Sequence, residues 1–86
     1  MASYSVRITR SAEKEVARLP AAIRRLVVSR IQALATDPRP HGSQKLADDD
    51  KYRIRQGNYR IVYTIQDAIV TVTVVRVAHR SDAYRR

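Results

Sequence analysis

Apolar positions along the chain recur first at every second residue, then at helical spacing, then at every second residue again. Tyr4-Ser5-Val6-Arg7-Ile8 alternates and predicts a strand. Thr9 and Ser11 can each cap the helix that follows, and Glu13 falls in its first turn, on the favourable side of the helix dipole. Ala12, Val16 and Leu19 give this helix its apolar face, and Pro20 closes it. A longer helix carries Ile23, Val27, Ile31 and Leu34 on one stripe with Leu26 beside them, while Arg24, Arg25 and Gln32 fall away from it. Asp37-Pro38 and Pro40 end it. The pair reads as a helical hairpin with a shared apolar seam and a solvated basic outer face.

Residues 38–51 form a polar connection. Its acidic run, Asp48-Asp49-Asp50, reads as solvated loop, because consecutive side chains diverge while a hard cation needs converging oxygens. From Lys51 the period returns to two. Tyr52 and Ile54 point one way, and Lys51, Arg53 and Arg55 the other. Gln56-Gly57-Asn58 is a hairpin turn. In the strand Tyr59 to Gln66, Ile61, Tyr63 and Ile65 share a face opposite Arg60, Val62 and Thr64. After a turn at Asp67-Ala68, the β-branched run from Ile69 to Ala78 predicts a buried strand with Val70, Val72 and Val74 on its core face. Strict alternation then carries Arg76 onto that same face, which calls for a bulge or for the strand's exit from the core nearby. The resulting order is β-α-α-β-β-β over residues 1–86. It is a small single-domain α+β fold, with a two-helix hairpin packed on one face of a mainly antiparallel sheet.

Charge changes the picture. The chain of 86 residues has 17 Lys+Arg against 8 Asp+Glu, a formal net charge of +9. Residues 1–50 contribute +3 and residues 51–86 contribute +6, so the excess lies in the segment that also holds Tyr52, Tyr59, Tyr63 and Tyr84. Such a segment suits a polyanion, through phosphate neutralisation by arginine and base stacking on phenol rings, or else an acidic protein. With no cysteine there is no disulfide framework and no thiolate ligand or nucleophile. Two histidines, His41 and His79, are too few for a zinc site without carboxylates, and no metal or cofactor is expected. The apolar runs are far short of the ~20 residues that span a membrane. Nor does the opening Met1-Ala2-Ser3-Tyr4 lead into a signal core, so a soluble cytoplasmic domain is expected.

The alternation collects Arg53, Arg55 and Arg60 on the exposed sheet face, and a tail folding back from His79 can add Arg80 and Tyr84. His79 is either a strand-ending residue hydrogen-bonded to backbone or a proton carrier, since an imidazole titrates near neutrality. Tyr52, Tyr59 and Tyr63 read as core or half-core rings, and His41 as solvated.

These residues carry a resemblance. Lys45-Leu46, then Tyr52-Arg53-Ile54-Arg55-Gln56-Gly57-Asn58-Tyr59-Arg60-Ile61-Val62-Tyr63, then Val74-Val75-Arg76-Val77-Ala78-His79-Arg80-Ser81-Asp82-Ala83-Tyr84, resemble the RelE/ParE superfamily of type II toxin–antitoxin toxins. The likeness covers nearly the whole chain and leans toward the RelE branch. It implies a ribosome-dependent endonuclease that cuts mRNA in the ribosomal A site and inhibits translation, and a cognate antitoxin that neutralises it. Arg60 then corresponds to the strand arginine that stabilises the transition state, Arg80 to the C-terminal arginine and Tyr84 to the terminal tyrosine. Arg53 and Arg55 stand where RelE proper has two lysines. Arginine effectively never loses its proton, so here they bind phosphate rather than abstract protons. Lys51 and Lys45 are expected to add to RNA binding. The implied reaction is metal-independent attack of a ribose 2′-OH on its own 3′-phosphate, with Tyr84 or His79 handling protons. The alternative is the ParE branch, which binds DNA gyrase and carries no nuclease chemistry.

Overall fold

The computed structural model describes residues 3–46 and 50–83. Its elements are β1 (Ser5–Ile8), α1 (Arg10–Ala17), α2 (Ala21–Ala33), β2 (Gln44–Lys45), β3 (Lys51–Gln56), β4 (Tyr59–Gln66), β5 (Thr71–His79) and α3 (Arg80–Ala83), with a 3-10 turn at Asp67–Ile69. The strands form a five-stranded sheet in the order β1-β5-β4-β3-β2. β1 runs parallel to β5, and the remaining neighbours are antiparallel.

Local chemistry explains the boundaries. Thr9 is the N-cap of α1, its hydroxyl accepting from the Ala12 amide. Pro20 starts α2, where its missing N–H costs nothing. Gly57 has φ 60 at the first position of the two-residue loop joining β3 to β4 while Asn58 keeps a negative φ, the pattern of a II′ hairpin turn.

One face of the sheet is buried under the helices. Ala12, Val16, Leu19, Val27, Ile31 and Leu34 meet Ile54, Ile61, Tyr63, Ile65, Val72, Val74 and Val77 in a single core. Burying each of the larger side chains stabilises the fold by roughly 1.5–3 kcal/mol. The buried Tyr63 hydroxyl donates to the Pro38 carbonyl at 2.8 Å, which fixes the start of the loop after α2, and burial pushes this phenol up to about 12. A second tie closes the same end of the molecule. Arg39 forms an ion pair with Asp67 at 2.9 Å, and its Nε donates to the Tyr52 hydroxyl at 3.2 Å. The Tyr4 hydroxyl donates to Asp67 at 2.6 Å, so β1, the loop after α2 and the turn before β5 converge on one carboxylate.

Several expectations are corrected. Ile69 and Val70 are outside the last strand and exposed, because the turn after β4 runs on to Val70. Val70 ends it in the left-handed region at φ 50, ψ 52, a conformation that costs a β-branched residue ~1–2 kcal/mol and removes it from the core face. Leu26 does not join the apolar stripe of α2 but is exposed. The connection after α2 contains the short strand β2, and the tail after β5 turns into α3. Asp48 and Asp49 lie outside the described residues.

Two measurements check this description. Tyr63→Phe leaves the Pro38 carbonyl buried without its donor and is expected to cost about 1–2 kcal/mol by urea denaturation. The Arg39 guanidinium, and then the Tyr4 hydroxyl, hold the Asp67 carboxyl below its ordinary value. A folded-state pKa below the unfolded one gives stability that is complete above about pH 4 and is lost as pH falls through the lowered folded value. The difference in urea midpoint between wild type and Asp67→Asn is therefore expected to be widest near neutrality and to shrink at the acid end.

Candidate active site on the open sheet face

The site follows from the pairing of three strands. In β3 and β4, Arg55 lies opposite Arg60, Arg53 opposite Val62 and Lys51 opposite Thr64. Residues paired across a ladder share a face. Lys51, Arg53, Arg55 and Arg60 therefore stand together on the face away from the helices, as the alternation predicts. β5 continues the rows, with Ala78 beside Arg60, Arg76 beside Val62 and Thr73 beside Thr64. β1 adds Arg7 next to Thr73, and β2 adds Gln44 next to Arg53, whose guanidinium donates to the Gln44 side-chain oxygen.

Among the described residues, no strand of the sheet contains an aspartate or glutamate. Arg55 and Arg60, two like charges, lie directly opposite each other across this hairpin. The described strands place cations and hydroxyl side chains on this face and no carboxylate of their own, an arrangement able to hold a phosphate by charge-assisted hydrogen bonds. Arg7 and Arg76 were missed by sequence reasoning. Alternation marks Arg7 as opposite to Val6 and Ile8, but only the pairing of β1 with β5 shows which face of the sheet it extends.

A bulge in β5 brings Arg76 to this side. The pairing jumps from Val62 with Arg76 to Tyr63 with Val74, leaving Val75 as the extra residue. The bulge lies where β1 has ended and β5 has a free edge. There the Glu15 carboxylate of α1 accepts from the Val77 amide at 2.7 Å and lies 3.9 Å from Arg76 Nε. The side chain of one helix thus satisfies the edge amide and steadies the displaced arginine.

Beyond the bulge the faces are exchanged. Val77 pairs with Ile61 and His79 with Tyr59, so His79 lies on the helix side, on the other face from Arg60. Its ring meets Tyr59 edge-on, 5.3 Å between centroids. A cleft of about 350 Å³ beside it is lined by Glu15, Arg18, Leu19, Tyr59, Arg76, Val77, Ala78 and His79. Lys45 is likewise on the far side, opposite Tyr52. Arg80 is exposed, its backbone N–H donating to the Asn58 carbonyl of the β3–β4 turn at 2.6 Å, which anchors it beside the Arg55–Arg60 row. Tyr84 lies outside the described residues. The sheet thus brings together Lys51, Arg53, Arg55 and Arg60 with the backbone of Arg80 nearby, and leaves His79 and Lys45 on the other side.

Comparison with known proteins agrees with this fold. The profile of the family described as ParE toxin of type II toxin-antitoxin system, parDE, matches residues 6–84. The toxin RelG of Mycobacterium tuberculosis is 37% identical over 87 residues, covering 96% of this chain and 98% of the relative. The toxin RelE of the same organism is 33% identical over 84 residues, covering 95% and 87%. Among solved structures, the RelBE2 toxin-antitoxin complex of M. tuberculosis superposes with a TM-score of 0.82 at 32% identity, covering 92% of this chain and 100% of that one. With a family profile spanning almost the whole sequence and two relatives above 30% identity, the chain belongs to the RelE/ParE superfamily of type II toxin–antitoxin toxins, as a toxin of the RelE family.

Proposed function

We propose that this toxin is a ribosome-dependent endoribonuclease that cleaves mRNA in the ribosomal A site and so inhibits translation. The observation that carries the reading is the sheet face on which Arg53, Arg55 and Arg60 occupy adjacent register positions, with no aspartate or glutamate in the described strands. RelE-family toxins are mRNA-cleaving endoribonucleases, which supports the same reading.

In the proposed reaction a ribose 2′-oxygen bonds to the adjacent phosphorus while the bond to the 5′-oxygen breaks. The products are a 2′,3′-cyclic phosphate and a 5′-hydroxyl. The 2′-OH proton leaves to a base, and the departing oxygen gains one. The nucleophile belongs to the substrate, so the protein's task is orientation and charge. Arg55 and Arg60 hold the non-bridging oxygens, where negative charge grows in the transition state, Arg53 and Lys51 bind the flanking backbone, and Arg80 closes the site from the hairpin end. None of the arginines serves as base. Proton handling falls to Tyr84, the terminal tyrosine that the family resemblance assigns to the site. The partner is an antitoxin, as in the toxin-antitoxin complexes among the structural neighbours, and a chain of charge +9 calls for an acidic one. The described residues contain no helix long and apolar enough to cross a membrane, which accords with a cytoplasmic role.

A second reading, inhibition of DNA gyrase without nuclease activity, is favoured by the matching profile's description as a ParE toxin. Primer extension on a defined mRNA paused on ribosomes separates the two. Cuts within the A-site codon are expected with ribosomes and not with mRNA alone, and Arg60→Ala should lower their rate by about 10²-fold or more. Absence of cleavage by folded, antitoxin-free protein would favour gyrase, and a supercoiling assay would then decide.

Phosphate contacts also predict a salt dependence. For a single-stranded RNA, Arg55→Ala should reduce the slope of log affinity against log salt by about 0.7. Lys14→Ala, on the exposed side of α1, should leave that slope unchanged.

A further inference from the structure

We propose that His79 is the N-cap of the C-terminal helical turn and a positioning residue for Arg80, not the group that moves a proton. The inference deepens the endoribonuclease reading and rests on it for its activity arm only.

α3 is four residues long and begins directly after β5. The first amides of any helix lack intrahelical partners, and an acceptor from the preceding residue normally satisfies the second or third. Here the residue before Arg80 is His79. The Ser81 amide donates to His79 Nδ1 at 3.2 Å, and the Ser81 hydroxyl is 2.9 Å from the same nitrogen. The amide one residue earlier, that of Arg80, is bound to the Asn58 carbonyl. Two successive amides are thereby fixed, one by the β3–β4 turn and one by the imidazole, exactly where β5 becomes helix.

This arrangement dictates the tautomer. An amide N–H can only donate, so Nδ1 is unprotonated and the neutral ring carries its hydrogen on Nε2. The Ser81 hydroxyl then donates to Nδ1 as well. With Nδ1 occupied and Nε2 already protonated, the ring has no free lone pair with which to take a proton from a ribose hydroxyl. Its location agrees. The ring packs edge-on against Tyr59 on the helix side, beside a cleft at the free edge of β5 whose charged groups are Glu15, Arg18 and Arg76, while the row of Arg53, Arg55 and Arg60 is on the opposite face. His79 reaches the open face only through the backbone it caps, by setting where Arg80 starts.

Asparagine distinguishes a cap from a proton carrier. It is among the best N-cap residues and cannot serve as general acid or base. In ribosome-dependent primer extension, His79→Ala is expected to lower the cleavage rate by about tenfold or more through misplacement of Arg80, and His79→Asn to restore it to within a few-fold of wild type. If His79→Asn is folded and as inactive as His79→Ala, the proposal fails and proton transfer is the better account. Two NMR readouts on the antitoxin-free toxin do not depend on activity. Long-range ¹H–¹⁵N spectra of the wild-type ring should show the Nε2–H tautomer, and the Ser81 amide should exchange about fivefold faster in His79→Ala but not in His79→Asn. A ring protonated on Nδ1, or a Ser81 amide indifferent to both substitutions, overturns the cap even if cleavage is never seen. The expected tautomer and exchange pattern without any cleavage would instead uphold the cap and count against the endoribonuclease reading.

Discussion

β4 is hydrogen-bonded along its length to β3 on one side and β5 on the other, and this double pairing decides which face of the sheet every arginine occupies. Tyr59, Ile61, Tyr63 and Ile65 point into the core, while Arg60, Val62 and Thr64 point out. A slip of one residue would exchange the two sets, sending a guanidinium beneath the helices and a buried tyrosine into water. The core therefore does more than hold the fold together. By refusing charge on one face it concentrates charge on the other.

The bulge at Val75 lets β5 obey the same rule. Without it Arg76 would follow Val72 and Val74 into the core. With it the strand places Arg76 outward and returns Val77, 2% exposed, to the core. An interrupted ladder at a free edge leaves amides exposed, and Glu15 answers this from α1 with a bond to the Val77 amide. The same carboxylate lies near the arginine that the bulge displaced. Helix packing and the disposition of the outer face are thus joined through one side chain.

Much of this was legible in the sequence, because alternation is a direct image of burial. Tyr52 and Ile54 against Arg53 and Arg55, the hairpin turn at Gln56-Gly57-Asn58, and a bulge or an exit from the core near Arg76 can all be read without coordinates. What escaped has physical causes. A two-residue strand such as β2 has no period to detect. Val70 looks like strand, yet the turn before it takes the backbone into the left-handed region, where tertiary pairing of the Ser5 amide with the Val70 carbonyl holds it. The side on which His79 falls depends on counting the bulge's extra residue, since one inserted position reverses every side chain after it. The bonds joining Arg39, Asp67, Tyr4 and Tyr52 link residues far apart in sequence, and no local pattern announces them.

The open face gathers like charges where the helix-covered face gathers apolar side chains. Arg55 and Arg60 are directly opposed, and a fold selected for stability alone would place opposite charges or β-branched residues there. In the proposed reaction a phosphate between them would accept from both guanidiniums. On the proposed endoribonuclease reading such a surface would discriminate by charge and shape rather than by base identity, so any selectivity among RNAs would come from whatever presents the strand to it. That requirement fits a toxin working inside a larger assembly better than one acting on free RNA. It also explains why an acidic partner would silence it, since a carboxylate-rich chain competes for the same arginines.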